Sequence, residues 1–577
     1  MTFRAHRICM LLVVAAVSVA PAQVTRVSSA AEIATALQTA QPGDTLLMTN
    51  GIWTDQLITF QGLGSASAPI VLKAETNGQV ELTGTSRLRI SGQYLVVDGL
   101  RFRSGYSPSG AVIEFRNGSG IAATDCRLTN TSIEDYNPPS TATDYKWVSM
   151  YGFRNTVEYC YFAGKTHAGT TFVVWLSDQP NAHWVHHNFF GRRPPLGVNG
   201  GETIRVGTSD WSMYNSRTVV ESNYFLECDG EAEIISSKSC ENVYRANVFV
   251  RCEGALTLRH GNRNRVEGNF FFGEGTSNTG GIRVIGEDQV VINNYLVGLT
   301  GSAPRAPLTL MNGIPSSPLN GYFQVQRAQI AFNTFVNTRN TIVIGYGKSD
   351  SISLPPLDCT IANNIVRSPN SPFIALVDTP ISMIYEGNIM YGGFVGISDT
   401  GIHVIDPQLV LSPDGLWRPA ATSPVLGAAS GSYGSVTEDM DGDPRSGSKD
   451  VGADQFSTEP PVRHPVTQND VGPDWMRNTT EVAQATLQAP EGYALSDCYP
   501  NPFNGQTGFA VTCPKSGELT VEVFDIRGRR LSEVNLGWRE AGTHRMVWRP
   551  EALPSGLYVL RVSSQAWSSS IKALYLK

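Results

Sequence analysis

The chain has 577 residues, of which only 16% are charged, too many for one ordinary compact domain and too few charges for a disordered one. A formal charge of -7 provides no global cationic field, which excludes holding nucleic acid or an anionic membrane by overall charge. The 56 glycines and many short Val/Ile/Phe runs exclude a helical bundle and favour strands joined by frequent turns.

At the N-terminus, Arg4 and Arg7 precede an apolar run from Ile8 to Val19 and then Ala20-Pro21-Ala22. This is the pattern of a secretory signal peptide over residues 1–22. The run is too short to span a bilayer, and no membrane span is expected elsewhere. Export removes two arginines, so the mature chain carries -9 in place of -7. Any anionic polymer it binds must therefore meet local cations. Eight cysteines remain, too sparse for a disulfide scaffold.

Ala30 to Ala40 has helical spacing and runs into Pro42-Gly43-Asp44, as expected of a helix capping one end of a solenoid. Beyond it, Asn followed by a short aromatic or aliphatic pair recurs at Asn188, Asn223, Asn247, Asn269, Asn294, Asn333, Asn364 and Asn388, with spacings of 35, 24, 22, 25, 39, 31 and 24 residues. A basic period in the low twenties, lengthened where loops are inserted, predicts stacked coils with Asn laddering at the turns. Cys228 and Cys252 each follow their Asn by five residues and should stack as buried thiols.

The coils are expected to fill residues 23–456, closing with D-V-G-A-D-Q-F at Asp450 to Phe456. Residues 457–489, with Pro460-Pro461, Pro465 and Pro473, read as a Pro-rich linker or a strap against the coils. From 490 to 577 short alternating strands and turns predict a small β-sandwich. The fold class is thus all-β, a parallel β-helix with a small C-terminal β-sandwich.

Polar residues gather between Asn199 and His260. Asn199 opens N-G-G-E-T-I-R, Glu231 and Glu233 precede Lys238 in E-A-E-I-I-S-S-K, and Arg259-His260 follows one coil later. Residues two apart on a strand share a face, and the 21 residues from Lys238 to Arg259 are about one repeat, so both cations and both carboxylates can converge on one groove. Carboxylate and amide oxygens suit calcium. A metal there, with a substrate carboxylate, acidifies a uronate C5 hydrogen. Lys238 is the candidate base, its ammonium disfavoured by neighbouring positive charge, and Arg259 neutralises the carboxylate. The bland alternative is a solvated strand face with a weak ion pair.

These segments, together with L-R-H-G at Leu258 and G-G-I-R-V-I-G at Gly280, resemble polysaccharide lyase family six, which contains alginate lyases and chondroitinase B. The resemblance spans most of residues 25 to 456 and implies a right-handed β-helix. It assigns Lys238 as the base, Arg259 as the catalytic arginine, and Asn199, Glu231 and Glu233 as calcium ligands. Arg205, His260 and Arg283 are candidate substrate-binding residues. Lys146 and Lys165 are expected to reach the substrate from earlier coils. The implied reaction is β-elimination on a 4-linked uronate polymer, with alginate preferred. Dermatan sulfate cleavage and non-catalytic polysaccharide binding at the surface are the alternatives. Y-P-N-P-F at Tyr499 and P-S-G-L-Y-V-L-R-V at Pro554 resemble the C-terminal sorting domain of type nine secretion cargo. That implies secretion machinery as a partner and a secreted or cell-surface location.

Overall fold

The computed structural model describes residues 22–477 and 494–577, apart from 497, 499, 526–528, 551, 552, 565 and 566. The expected signal peptide lies outside the described residues except for its last position. The chain divides into two units, Met1–Arg477 and Asn478–Lys577.

The first unit is a parallel β-helix. Three long sheets of 14, 13 and 14 strands run side by side, and successive coils contribute one strand to each. The helix Ala30–Ala36 sits at the start, its N-cap Ser29 accepting from the Glu32 backbone, with Ile33 buried against the first coils. Inward residues form one continuous apolar core, which includes a file of phenylalanines: Phe190, Phe225, Phe249 and Phe271, with ring centroids 4.9, 4.6 and 4.5 Å apart.

All eight repeat asparagines stand in one buried ladder. Asn188 Nδ2 donates to Asn223 Oδ1 at 3.0 Å, and each Asn donates in the same way to the next, ending with Asn364 to Asn388 at 2.9 Å. Each ladder amide also donates to a carbonyl of the preceding coil, as Asn247 does to Val220 at 2.9 Å. A turn that buries its backbone must satisfy it, and Asn offers donor and acceptor together. Cys228 and Cys252 are buried and stacked, Cys228 N lying 3.5 Å from Cys252 Sγ.

The coil strands end at Ile402–Val404, well short of Phe456. Beyond that point the chain turns back along the helix. Gly452 N bonds Asn363 O at 2.9 Å, Ala453 N bonds Thr334 Oγ1 at 2.8 Å, Gly472 N bonds His187 O at 2.8 Å and Trp475 Nε1 bonds Asn130 O at 3.0 Å. This return segment buries an outward apolar row, Phe189, Tyr224, Val248, Phe270 and Tyr295, under Leu416, Met440, Ala453 and Val471. One sheet is thereby roofed with protein, and the 13-stranded sheet keeps its outer face for other uses.

In the second unit a three-stranded antiparallel sheet and a four-stranded one share a core that includes Phe509, Val511, Leu519, Val523 and Leu560.

Candidate active site

The 13-stranded sheet carries the polar cluster. Its strands Ile204–Gly207, Glu233–Lys238, Ala255–His260 and Ile282–Val284 lie side by side. Ile235, Leu256 and Leu258 point into the core, so alternation turns Ser236, Lys238, Thr257 and Arg259 outward. The Glu233–Lys238 strand has two register shifts, one after Glu233 and one between Ser237 and Lys238, which leave Lys238 opposite His260. Glu231 lies ahead of this strand, so strand alternation does not align it with Glu233. Backbone packing does. Gly201 and Gly230 abut so closely that a Cβ on either would fall 2.2 or 2.1 Å from the other's carbonyl oxygen. Only glycine on both sides lets the Asn199 turn meet the Glu231 turn.

A cavity of about 750 Å³ opens there. Asn199, Glu231, Glu233, Lys238, Arg259, His260 and Arg283 all line it. Arg205 does not. It stands one strand away in register with Ser236, its guanidinium 5.4 Å from the Trp175 ring centre.

Glu231 Oε2 accepts from the backbone N–H groups of Gly200 and Gly201 at 2.8 and 3.1 Å. Burial, then the charges of Glu202 and Glu233, push its carboxyl up to about 7. Glu233 accepts from Ser236 Oγ and is ion-paired with Arg283, and Arg259 Nε lies 3.9 Å from it. Arg259 donates to the carbonyls of Gly321 at 2.7 Å and Asn320 at 3.3 Å, and packs 4.2 Å from the Tyr322 ring centre. Desolvation holds its pKa below the ordinary guanidinium value. His260 Nε2 lies 2.7 Å from Arg259 Nη1 and 3.2 Å from the Gly321 carbonyl oxygen. Burial and the charges of Arg259 and Lys238 hold His260 neutral, its pKa lowered to about 3. His260 is 1% exposed and packs against Arg259.

Several contributors escape the sequence reading. Glu202, only 2% exposed, lies 3.9 Å from Lys238 Nζ and accepts from Thr170 Oγ1 at 3.2 Å. It is the Glu of the same N-G-G-E-T-I-R segment that supplied Asn199, and its spacing carried the only available signal. Arg305 and Tyr322 also line the cavity but sit in long insertions with no repeat phase. Lys165 is a correction. It is 1% exposed and donates to the carbonyls of His167 and Ala168, both at 3.1 Å, and burial lowers its pKa to about 5, so it is a packing residue. Lys146 is ion-paired with Asp144 at 2.6 Å, outside the cavity.

The charges of Glu202 and Glu233 both act on Glu231, and Asn199 lines the same cavity as Glu231 and Glu233. The repulsion at Glu231 is what a hard cation relieves, so this oxygen-donor set fits calcium. A tighter acidic cluster, Asp439, Asp441 and Asp454, lies in the return segment. Arg418 already bonds Asp441 and Asp454 there.

The family model for Chondroitinase B matches residues 27–396, and that for the secretion system C-terminal sorting domain matches residues 497–576. Among solved structures, a mutant of the PL6 family alginate lyase AlyGC is 37% identical, with a TM-score of 0.71 over 78% of this chain and 58% of that one. A mannuronic acid specific family 6 lyase from human gut microbiota is 33% identical, with a TM-score of 0.59 over 66% of this chain and 87% of that one. A PL6 polysaccharide lyase from Pseudopedobacter saltans is 26% identical, with a TM-score of 0.60 over 78% and 99%. This chain thus spans less than two thirds of the AlyGC structures it matches. No match was found among curated proteins. A β-helix whose groove gathers these residues, matched over residues 27–396, belongs to the chondroitinase B family of PL6 polysaccharide lyases, and its C-terminal sorting domain marks it for secretion or the cell surface.

Proposed function

We propose that the protein cleaves 4-linked uronate polymers by β-elimination, with alginate as its substrate. The observation that carries this reading is convergence: Asn199, Glu231, Glu233, Lys238 and Arg259, from three turns of the solenoid, line one open cavity, with the buried Glu202 carboxylate 3.9 Å from Lys238 Nζ. Lys238 is the base. Its Nζ stands in the cavity, 3.9 Å from Glu202 Oε1, where it can reach the C5 proton of a bound uronate. Arg259 is held by two carbonyls and a tyrosine face, so its remaining N–H groups are preorganised for the substrate carboxylate as charge builds on it. Arg283 braces Glu233.

Asn199, Glu231, Glu233 and Glu202 would hold calcium. When bound, the ion supplies positive charge against the uronate carboxylate. Glycoside hydrolysis requires an acid/base carboxylate pair across the bond, and here Glu231 and Glu233 are proposed as metal ligands with a lysine beside them. Dermatan sulfate presents the same 4-linked uronate. Alginate is preferred because its structural relatives are described as alginate lyases, and because among the described residues no basic cluster beyond Lys238, Arg259, His260, Arg283 and Arg305 lines the cavity.

Parallel digestion of alginate and dermatan sulfate, with mass analysis of the products, tests this. Unsaturated oligosaccharides should form more efficiently from alginate; a chelator should slow the reaction and added calcium restore it. Efficient dermatan sulfate cleavage with no unsaturated alginate product overturns the substrate, and full activity in metal-free protein removes calcium from the account.

A further inference from the structure

The cationic surface continues past the cavity. On the outer face of the same sheet Arg89, Glu114, Ser149, Val173, Arg205 and Ser236 are successive neighbours in register, one per strand. Beside this row Tyr151 and Trp175 stack, with ring centres 5.8 Å apart and planes within 9°. Trp175 Nε1 donates to Ser149 Oγ at 3.2 Å, which pins the indole to the outer face. Both rings are half-buried, and neither belongs to a hydrophobic cluster among the described residues.

Each ring also carries a guanidinium. Arg116 Cζ lies 3.8 Å from the Tyr151 centre and Arg205 Cζ 5.4 Å from that of Trp175. Arg116 is paired with Glu114 at 2.6 Å, and Arg89 lies 4.0 Å from the same carboxylate. Arg205 has no carboxylate partner among the described residues, and its Nε makes no hydrogen bond. Two arginines therefore share one carboxylate, and the third, nearest the cavity, lies beside the Trp175 ring with no ion pair among the described residues. A pair of coplanar rings outside any core needs a reason to stay on the surface.

We propose that Tyr151, Trp175, Arg116 and Arg205 form a distal subsite that grips an anionic uronate chain as it leaves the cavity toward the N-terminal coils. A pyranose ring presents a C–H face that packs on an aromatic, and each uronate adds a carboxylate suited to a guanidinium fork. Neighbouring strands are about 4.8 Å apart, close to the advance of one sugar along a 1,4-linked chain, so a chain lying across the strands offers a carboxylate near each arginine. This rests on the uronate reading of the cavity and adds to it where the rest of the polymer lies.

The test compares Trp175→Ala and Arg116→Gln with the parent on uronate oligomers of increasing length and on polymer. The ratio of kcat/KM on polymer to that on the shortest cleaved oligomer should fall about tenfold in Trp175→Ala, chiefly through KM, and less in Arg116→Gln. An unchanged ratio, including an equal loss at every length, overturns the subsite. Should Trp175→Ala fail to fold, Arg116→Gln decides, because that side chain is 41% exposed. Should the parent cleave no uronate polymer, the catalytic reading falls by itself. Tryptophan fluorescence titration of the parent and Arg116→Gln with the same oligomers then decides the subsite: tighter binding of longer chains only in the parent supports it, and equal affinities overturn it.

Discussion

Two outward faces of the same solenoid are built on the same stacked parallel strands and differ in what covers them. Under the return segment the outward row is Phe189, Tyr224, Val248, Phe270 and Tyr295, sealed by protein. On the 13-stranded sheet the corresponding row holds Arg205, Ser236, Thr257 and Arg283, polar throughout, with Arg283 lining the cavity. On the proposed function stability and chemistry are separated by face: core, ladder and roof hold the coils, and the groove is left polar and open. Substitutions on the two sides should therefore have separable consequences.

The largest effect is expected at Arg259. Arg259→Ala removes the positioned donors of the groove and should lower kcat by about 10²–10³, with circular dichroism and thermal midpoint close to the parent. A folded variant with near-parental turnover would assign the carboxylate to another cation, Arg283 or Arg305.

Next comes the ladder. Asn247→Ala leaves the amides of Asn223 without their acceptor and deletes the donor to Asn269 and Val220. Orphaned buried groups cost about 1–3 kcal/mol each, so chemical denaturation should show a loss of about 3 kcal/mol while the folded fraction keeps its kcat. A loss of kcat in fully folded protein would show that the two faces are coupled.

The smallest effect sharpens the contrast on the stability side alone. His183 is fully buried, its Nδ1 accepting from Asn155 N at 3.1 Å, and desolvation lowers its pKa from 6.5 to about 3. The folded state binds fewer protons than the unfolded one in between, so stability is present above about 6.5 and is lost as pH falls toward 3. In His183→Gln the slope of stability against pH across that window should be shallower by up to about one proton. An unchanged slope contradicts a neutral buried histidine there.

The sheet and ladder were legible because a coil repeats its chemistry. Asn188 to Asn388 kept their phase through insertions, since only the turn position demands an amide. The groove was legible through E-x-E-x-x-x-x-K and R-H one coil on, a compact pattern with a family resemblance behind it. Arg305 and Tyr322 were hidden because inserted loops have no phase, and Glu202 because its partners meet only through the Gly201 and Gly230 contact. The return segment was only partly foreseen, because it obeys the shape of the roofed sheet and no period of its own. Lys165 misled because burial cannot be read from a lone lysine between coils.

The central claim is that Lys238 removes the C5 proton in a groove whose fold does not depend on it. Lys238→Ala and the parent, both shown folded by circular dichroism, should be compared for ultraviolet-absorbing unsaturated product on alginate. The account predicts a loss of about 10²–10⁴ in rate with an unchanged spectrum; elimination at near-parental rate by the folded variant would contradict it.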